Sequence, residues 1–304
     1  MSAKPGRQIR VNGLEFHCIE AGQGEPILFL HGFPEQAQAW SQIMDRLSGR
    51  FRTIAIDTRG VHQSEAPAEV SAYHVSELVE DVRQLMAVLG HRRMSLVGHD
   101  WGGFIAWEFA IRYPELLGRL VIVNAAHTGV FDRLLREDEQ QAAASKYMLA
   151  FRSPRGEELV SRNDFAGFRQ EILEPALASG ALTEDQAEDY LACWRNPQSL
   201  TAGLNYYRAN KSGPLSGDDN PPRDPAETIV NVPTLIIWGE RDRYFVPRNL
   251  DLVPEVVPDV VIRRFPDNSH WIVHERPEEV SALIGDFVSG ALTDTSLKGC
   301  GKNG

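Results

Sequence analysis

Through its first 125 residues the chain alternates short apolar runs with amphipathic stretches. The segment Leu14–Ala21 alternates apolar and polar positions like a half-buried strand, and residues 26–30, 52–56, 95–97 and 120–123 are short buried runs. Asp57, Gly98 and Asn124 follow three of them, as turn residues follow strands. Helical periods lie between. The clearest is expected to begin near Ser76, a good N-cap, and to stop at Gly90. Its apolar positions Leu78, Val79, Val82, Leu85, Met86 and Leu89 form one face. This β-α-β-α rhythm predicts an α/β fold, a mostly parallel, doubly wound sheet with helices on both faces.

The rhythm changes after Asn124. Residues 127–226 show helical patterns and no buried strand, with a charged stretch at 132–141, an amphipathic one at 184–194 and a Pro- and Asp-rich loop at 218–225. Strand character returns at 232–238, where Pro233 sits near the start and a missing N–H is tolerated, and at Val260–Phe265. Pro277 opens a last helix at its first position. The expected organisation is an α/β core in two parts, 1–126 and 227–290, with a helical cap at 127–226 and a frayed tail at 291–304. No internal repeat interrupts it.

Composition narrows the class. A chain of 304 residues buries a sizeable core without staples. With 42% hydrophobic and 24% charged residues it is neither disordered nor fibrous. The net charge of −11 argues against nucleic acid and anionic membrane surfaces as general partners. Cys18, Cys193 and Cys300 have no metal-ligand spacing and read as free thiols in a reducing compartment. Residues 1–12 hold no apolar run of the secretory kind, and no stretch reaches the roughly 18 apolar residues of a membrane span. The expectation is a cytoplasmic protein, monomer or homodimer.

The chemistry centres on Gly98-His99-Asp100-Trp101-Gly102-Gly103, which follows one strand and opens a helix. This is the small-x-nucleophile-x-small pattern of a nucleophile elbow, with Asp where Ser is usual. Asp is also a common helix N-cap, so the five residues alone decide nothing. The remaining parts follow in order. Asp242 lies just past the 232–238 strand, and His270 lies past the last strand and before the last helix. Nucleophile, acid, histidine is the order of α/β-hydrolases. Glu240 and Asp267 compete with Asp242, one too early in its turn and the other too close to His270 in sequence. His31-Gly32-Phe33-Pro34 follows an early strand, where an oxyanion loop belongs, with the N–H groups of Phe33 and Trp101 as donors. His31 and His99 read as hydrogen-bonding backbone near the elbow. Glu35 reads as a helix-entry charge or as a water contact near the nucleophile, and 136–141 as a solvated helix face.

Over roughly residues 10–288 the chain resembles the α/β-hydrolase-fold epoxide hydrolases. The matching segments are His31-Gly32-Phe33-Pro34-Glu35, Gly98-His99-Asp100-Trp101-Gly102, Ser145-Lys146-Tyr147-Met148 with Phe151, Leu204-Asn205-Tyr206-Tyr207-Arg208, Asp242, and His270-Trp271. The resemblance implies two lid tyrosines aimed at the nucleophile, by position Tyr147 and Tyr207. The segment Asn124-Ala125-Ala126-His127-Thr128 lacks the prolines common around this histidine, and Gly60-Val61-His62-Gln63-Ser64 lacks a common glycine.

The residues carry the chemistry without the family. An Asp carboxylate is ionised at neutral pH and attacks an sp3 carbon with no base, forming an ester. His270, oriented by Asp242, is needed only to activate the water that hydrolyses it. Opening an epoxide creates an alkoxide, which needs an acid, and tyrosine is protonated at neutral pH. The expected function is therefore hydrolysis of small apolar epoxides by water to vicinal diols, with no cofactor and no metal. Two alternatives stay open. A haloalkane or haloacetate dehalogenase shares the scaffold, but usually places Asn where Phe33 stands, or Arg where Trp101 stands. A non-catalytic relative used for binding would have lost a triad member.

Overall fold

The computed structural model describes residues 6–178, 180, 182–212 and 223–292. Cys300, the tail beyond 292 and the part of the 218–225 loop before Arg223 lie outside the described residues. Eight strands form one sheet: β1 (Gly6–Val11), β2 (Leu14–Ala21), β3 (Glu25–Leu30), β4 (Phe51–Ile56), β5 (Met94–His99), β6 (Leu117–Val123), β7 (Thr234–Gly239) and β8 (Val260–Phe265). Their order is β1-β2-β4-β3-β5-β6-β7-β8. β2 pairs antiparallel with both β1 and β4, and the other neighbours are parallel. β1 was not foreseen. Only Ile9 and Val11 of its six residues are buried, so this edge strand carries no apolar run.

The strands send alternate side chains to two cores. Leu28, Leu30, Ile54, Leu96, Leu120 and Ile236 face one. There they meet α2 (Val75–Val88) and α3 (Trp101–Arg112) through Leu78, Val82, Ile105 and Phe109. Ile27, Phe29, Val97, Val121 and Ile237 face the other, against α1 (Ser41–Leu47) and the last helix (Pro277–Val288), through Ile43, Leu47, Ile284 and Phe287. Each such side chain contributes about 1.5–3 kcal/mol by leaving water. α2 begins two residues earlier than the expected N-cap at Ser76 implies. His74 is its N-cap, its ring accepting the Ser76 N–H, and Ser76 lies inside the first turn. Gly90 ends it with a left-handed φ of +76°.

The helical segment runs from Thr128 to Ala209, and among the described residues it contains no strand. Its helices are α4 (Thr128–Glu137), α5 (Glu139–Ala144), α6 (Tyr147–Arg152), α7 (Gly156–Phe168), α8 (Glu174–Ala178), α9 (Glu184–Arg195) and α10 (Pro197–Ala209). A left-handed break at Asn163, Asp164 and Phe165 and a π turn over Arg169–Leu173 bend the α7–α8 stretch. Thr183 and Gln186 close a capping box on α9. The reading of 136–141 as solvated fails at Gln141. It is fully buried, donates to the Tyr244 carbonyl and accepts the Val246 N–H, tying α5 to the loop after β7. Among the described residues three α-helices follow β7: α11 (Arg248–Leu252), α12 (Ile272–Glu275) and α13 (Pro277–Val288), the last opening at Pro277.

Candidate active site

Asp100 sits between β5 and α3 with φ +50° and ψ −118°, a strained conformation for a residue with a Cβ. Close packing permits the turn. A Cβ on Gly102 would stand 2.1 Å from the Leu30 carbonyl oxygen, and one on Gly32 would stand 2.4 Å from the Asp100 Cβ. Asp100 occupies the N-cap position of α3 without capping it. Its Oδ1 instead accepts the Phe33 N–H at 2.8 Å. Trp101 is the first residue of α3, so its N–H has no partner within the helix and points from the helix N-terminus. Burial pushes the Asp100 carboxyl up, but the bond and charge of His270, with His99 and the Phe33 N–H, hold it below the ordinary range.

His270 follows β8. Its Nδ1–H donates to Asp242 Oδ2 at 2.7 Å, and its Nε2 lies 3.5 Å from Asp100 Oδ2. The ring is thus clamped between two carboxylates and almost wholly buried. Burial opposes its charged form, yet Asp242 and Asp100 raise its pKa to about 10. Asp242 is fixed in turn. Its Oδ1 accepts the Tyr244 and Phe245 N–H groups, and its Oδ2 accepts from Asn124 Nδ2 at 2.7 Å. The competing acids point elsewhere: Glu240 pairs with Arg264 and Asp267 with Arg241. Asn124 was missed as a site residue, although it stood in the segment where the sequence departs from its relatives. The available signal was its place just past the end of β6, where α/β sheets put their sites.

Two adjoining cavities meet at Asp100. One, with about 480 Å³ of empty space, is lined by Trp101, Phe104, Phe131, Met148 and Phe245 as well as Asp100, Tyr147 and Tyr207. The other, about 330 Å³, adds Phe33, Phe151, Phe168, Tyr244, His270 and Trp271. Tyr147 and Tyr207 line both, with ring centroids 6.1 Å apart, and Tyr207 packs edge-on against Trp101. Burial first, and the Asp100 charge next for Tyr147, hold its hydroxyl far above the usual range; burial, Tyr147 and Asp100 do so for Tyr207. Tyr206 turns away and donates to the Arg59 carbonyl at 2.9 Å. A further tyrosine, Tyr244, was not foreseen. Its ring packs 4.8 Å from His270 and its hydroxyl donates to Glu171.

The supporting residues are brought together behind the elbow. His31 Nδ1–H donates to the Gly32 carbonyl and its Nε2 accepts the Thr58 N–H, so the ring is neutral and burial lowers its pKa. Glu35 is no helix-entry charge: it is 1% exposed. Its Oε2 accepts His99 Nδ1–H at 2.7 Å and its Oε1 accepts His274 Nε2–H at 2.6 Å. Burial would raise its pKa, but the two imidazoles hold it well below the carboxylate range. His99 Nε2–H donates to the His270 carbonyl at 2.9 Å. His274, on α12, was missed because nothing in sequence links it to Glu35.

A strained acidic elbow on a mostly parallel sheet, with histidine and acid delivered from later strand ends, defines an α/β-hydrolase, and a family model described as the alpha/beta hydrolase fold matches residues 25–277. Epoxide hydrolase 3 of Xenopus tropicalis is 33% identical over 294 residues, covering 92% of this chain and 76% of that protein. Epoxide hydrolase 4 of Mus musculus is 31% identical and covers 92% and 78%. The crystal structure of a Bacillus megaterium epoxide hydrolase in complex with an inhibitor superposes with a TM-score of 0.85 at 38% identity, covering 93% of this chain and all of that one. The chain belongs to the epoxide hydrolases of the α/β-hydrolase fold, enzymes that hydrolyse epoxides. The dehalogenase and non-catalytic readings are set aside. Among the described residues no helix is long and apolar enough to cross a membrane.

Proposed function

We propose that the enzyme works through a covalent ester on Asp100, with residues 127–226 acting as a cap that carries the acid. Asp100 Oδ1 is engaged by the Phe33 N–H, which leaves Oδ2 as the attacking atom. Oδ2 attacks one epoxide carbon, and that carbon's bond to the ring oxygen breaks. A tyrosine of the pair Tyr147 and Tyr207 protonates the departing alkoxide. The imidazolium proton of His270 makes good the tyrosine's loss. With Asp100 esterified, one of the two charges that raise the His270 pKa is gone, and the ring is freed to act as a base. It takes a proton from water, the hydroxide adds to the ester carbonyl, and the N–H groups of Phe33 and Trp101 hold the oxyanion. Collapse expels the diol oxygen, which takes the remaining hydroxyl proton, and leaves Asp100 a carboxylate beside the imidazolium. The apolar lining favours apolar epoxides, and the polar groups needed are those named. Every step is carried by the chain's own side chains and water.

The observation that carries this reading is the line Phe33 N–H, Asp100, His270, Asp242 at 2.8, 3.5 and 2.7 Å beneath two tyrosines. One turnover in oxygen-18 water, with enzyme in excess, tests it. The label is expected in Asp100 and the diol is expected unlabelled, because the diol takes the old carboxylate oxygen. Label in the first diol would mean direct attack by water and would reduce Asp100 to a base.

A further inference from the structure

Away from the active site, the fold assembles a second group of chemistry-bearing side chains. His17 comes from β2, Asp57 follows β4, and His62 stands in the loop beyond; their ligand-capable atoms all lie within 4.8 Å of one another. Asp57 Oδ2 is 2.7 Å from His17 Nδ1 and 2.8 Å from His62 Nδ1, so two imidazoles converge on a single oxygen. We propose that His17, Asp57 and His62 bind one divalent transition cation of the Zn²⁺ or Ni²⁺ kind, in place of the two N–H hydrogens that now crowd that oxygen.

Four features support this. Two imidazoles and one carboxylate suit borderline cations, whereas Mg²⁺ and Ca²⁺ want oxygen throughout. The ligands are held before any ion arrives. A Cβ at Gly6 would fall 1.8 Å from His17 Nε2, so glycine there lets the ring seat with Nδ1 toward Asp57. The other Asp57 oxygen accepts the Ala37 N–H at 2.8 Å, which fixes the carboxylate and leaves Oδ2 as the ligand atom. His62 holds a left-handed φ of +51° in the loop after β4. A side chain is thus kept where its absence would be conformationally easier. Finally, the side chains of Asp57 and His17 are 0% and 7% exposed while that of His62 is 27% exposed, so water completes the coordination from one side only.

The cation would clamp β2, β4 and the 57–64 loop together. Thr58, next to Asp57, donates its N–H to His31, which precedes the Gly32-Phe33 turn. The clamp therefore lies behind the oxyanion loop without touching substrate. No sequence spacing announces it, because His17 lies 40 residues before Asp57 and only the fold brings it there.

Chelator-treated full-length enzyme titrated calorimetrically with ZnCl₂ and NiCl₂ tests the site, alongside His62→Gly. The wild type is expected to bind one equivalent with micromolar affinity and to melt at a higher temperature when loaded, as any ligand of the native state alone requires. His62→Gly is expected to weaken binding about thirtyfold or more and to erase the thermal shift, with metal-free epoxide turnover unchanged. His62→Asn, which also tolerates the left-handed region, serves if the glycine variant folds poorly. Absence of saturable binding would overturn the proposal. So would equal binding by wild type and variant, which would place the cation on other histidines.

Discussion

Imidazoles and carboxylates meet at two adjoining places in this enzyme, in opposite proportion. Around His270 one ring is shared by Asp242 and Asp100. Around Glu35 one carboxylate is shared by His99 and His274. The proportion sets what each group can do. Surplus carboxylate makes His270 keep its proton and leaves Asp100 Oδ2, at 3.5 Å, only loosely held, as the proposed attack requires. Surplus imidazole pins Glu35 in its ionised form with both oxygens occupied. In the proposed mechanism the first group changes charge during a turnover, and the second keeps it. They are joined where His99 donates to the His270 carbonyl, so the fixed group holds the backbone of the variable one.

The largest effect comes from breaking the first group. Asp100→Asn is expected to lower turnover by about a thousandfold or more, since it removes the proposed nucleophile outright. It also removes one of the two charges on His270, so the ring's pKa is expected to fall below the wild-type value of about 10. Titration of the imidazole by NMR in both proteins reads that shift. An unchanged pKa would mean Asp242 alone sets it, and the proposed release of the base on esterification would fail.

Next in size are the tyrosines, which in the proposed mechanism supply the proton that the surplus carboxylate cannot. Tyr147→Phe or Tyr207→Phe is each expected to slow adduct formation about ten- to a thousandfold, with the double change close to abolishing it. Rapid quench followed by mass spectrometry of the enzyme ester measures this step apart from hydrolysis. Full epoxide turnover in the double variant would remove both tyrosines from the chemistry and leave Asp100 its role.

How far these groups could be read from sequence follows their distance along the chain. The elbow was legible because Gly98, Asp100 and Gly102 lie within five residues and the turn dictates their type. Asp242 and His270 were legible because the fold delivers them at strand ends in a fixed order. Parallel β3 to β7 showed themselves as buried runs and β8 by its apolar and β-branched residues, whereas edge strand β1 buries only two side chains and showed nothing. Partners chosen by tertiary packing left little trace: Asn124 against Asp242 only its place past β6, and His274 against Glu35 and Glu171 against Tyr244 none. Each pair joins residues more than fifty apart, and neither member has a neighbour that fixes its identity. Glu35 shows the same limit, since a lone acid after His31-Gly32-Phe33-Pro34 looks like a surface charge until two histidines are placed beside it.

The smallest effect on rate, and the sharpest test of the second group, is Glu35→Gln. The amide nearly matches the carboxylate in shape but can accept from only one of its two imidazole partners, leaving a buried N–H unmatched. Stability is expected to fall by about 1–3 kcal/mol, the usual cost of an unsatisfied buried donor. Turnover should fall less than tenfold, because His270 keeps Asp242 and only its backbone support loosens. The pH dependence separates charge from shape. The Glu35 pKa in the native state lies well below its ordinary value of 4.5, so the stabilisation it gives is complete above that value and is lost as pH falls through the native one. Urea unfolding of both proteins should therefore show a constant gap from pH 7 down to about 5, narrowing at more acid pH as the wild-type carboxylate is protonated. A gap that stays the same down to pH 3 would show that shape alone is lost, and that Glu35 does not serve as a fixed charge.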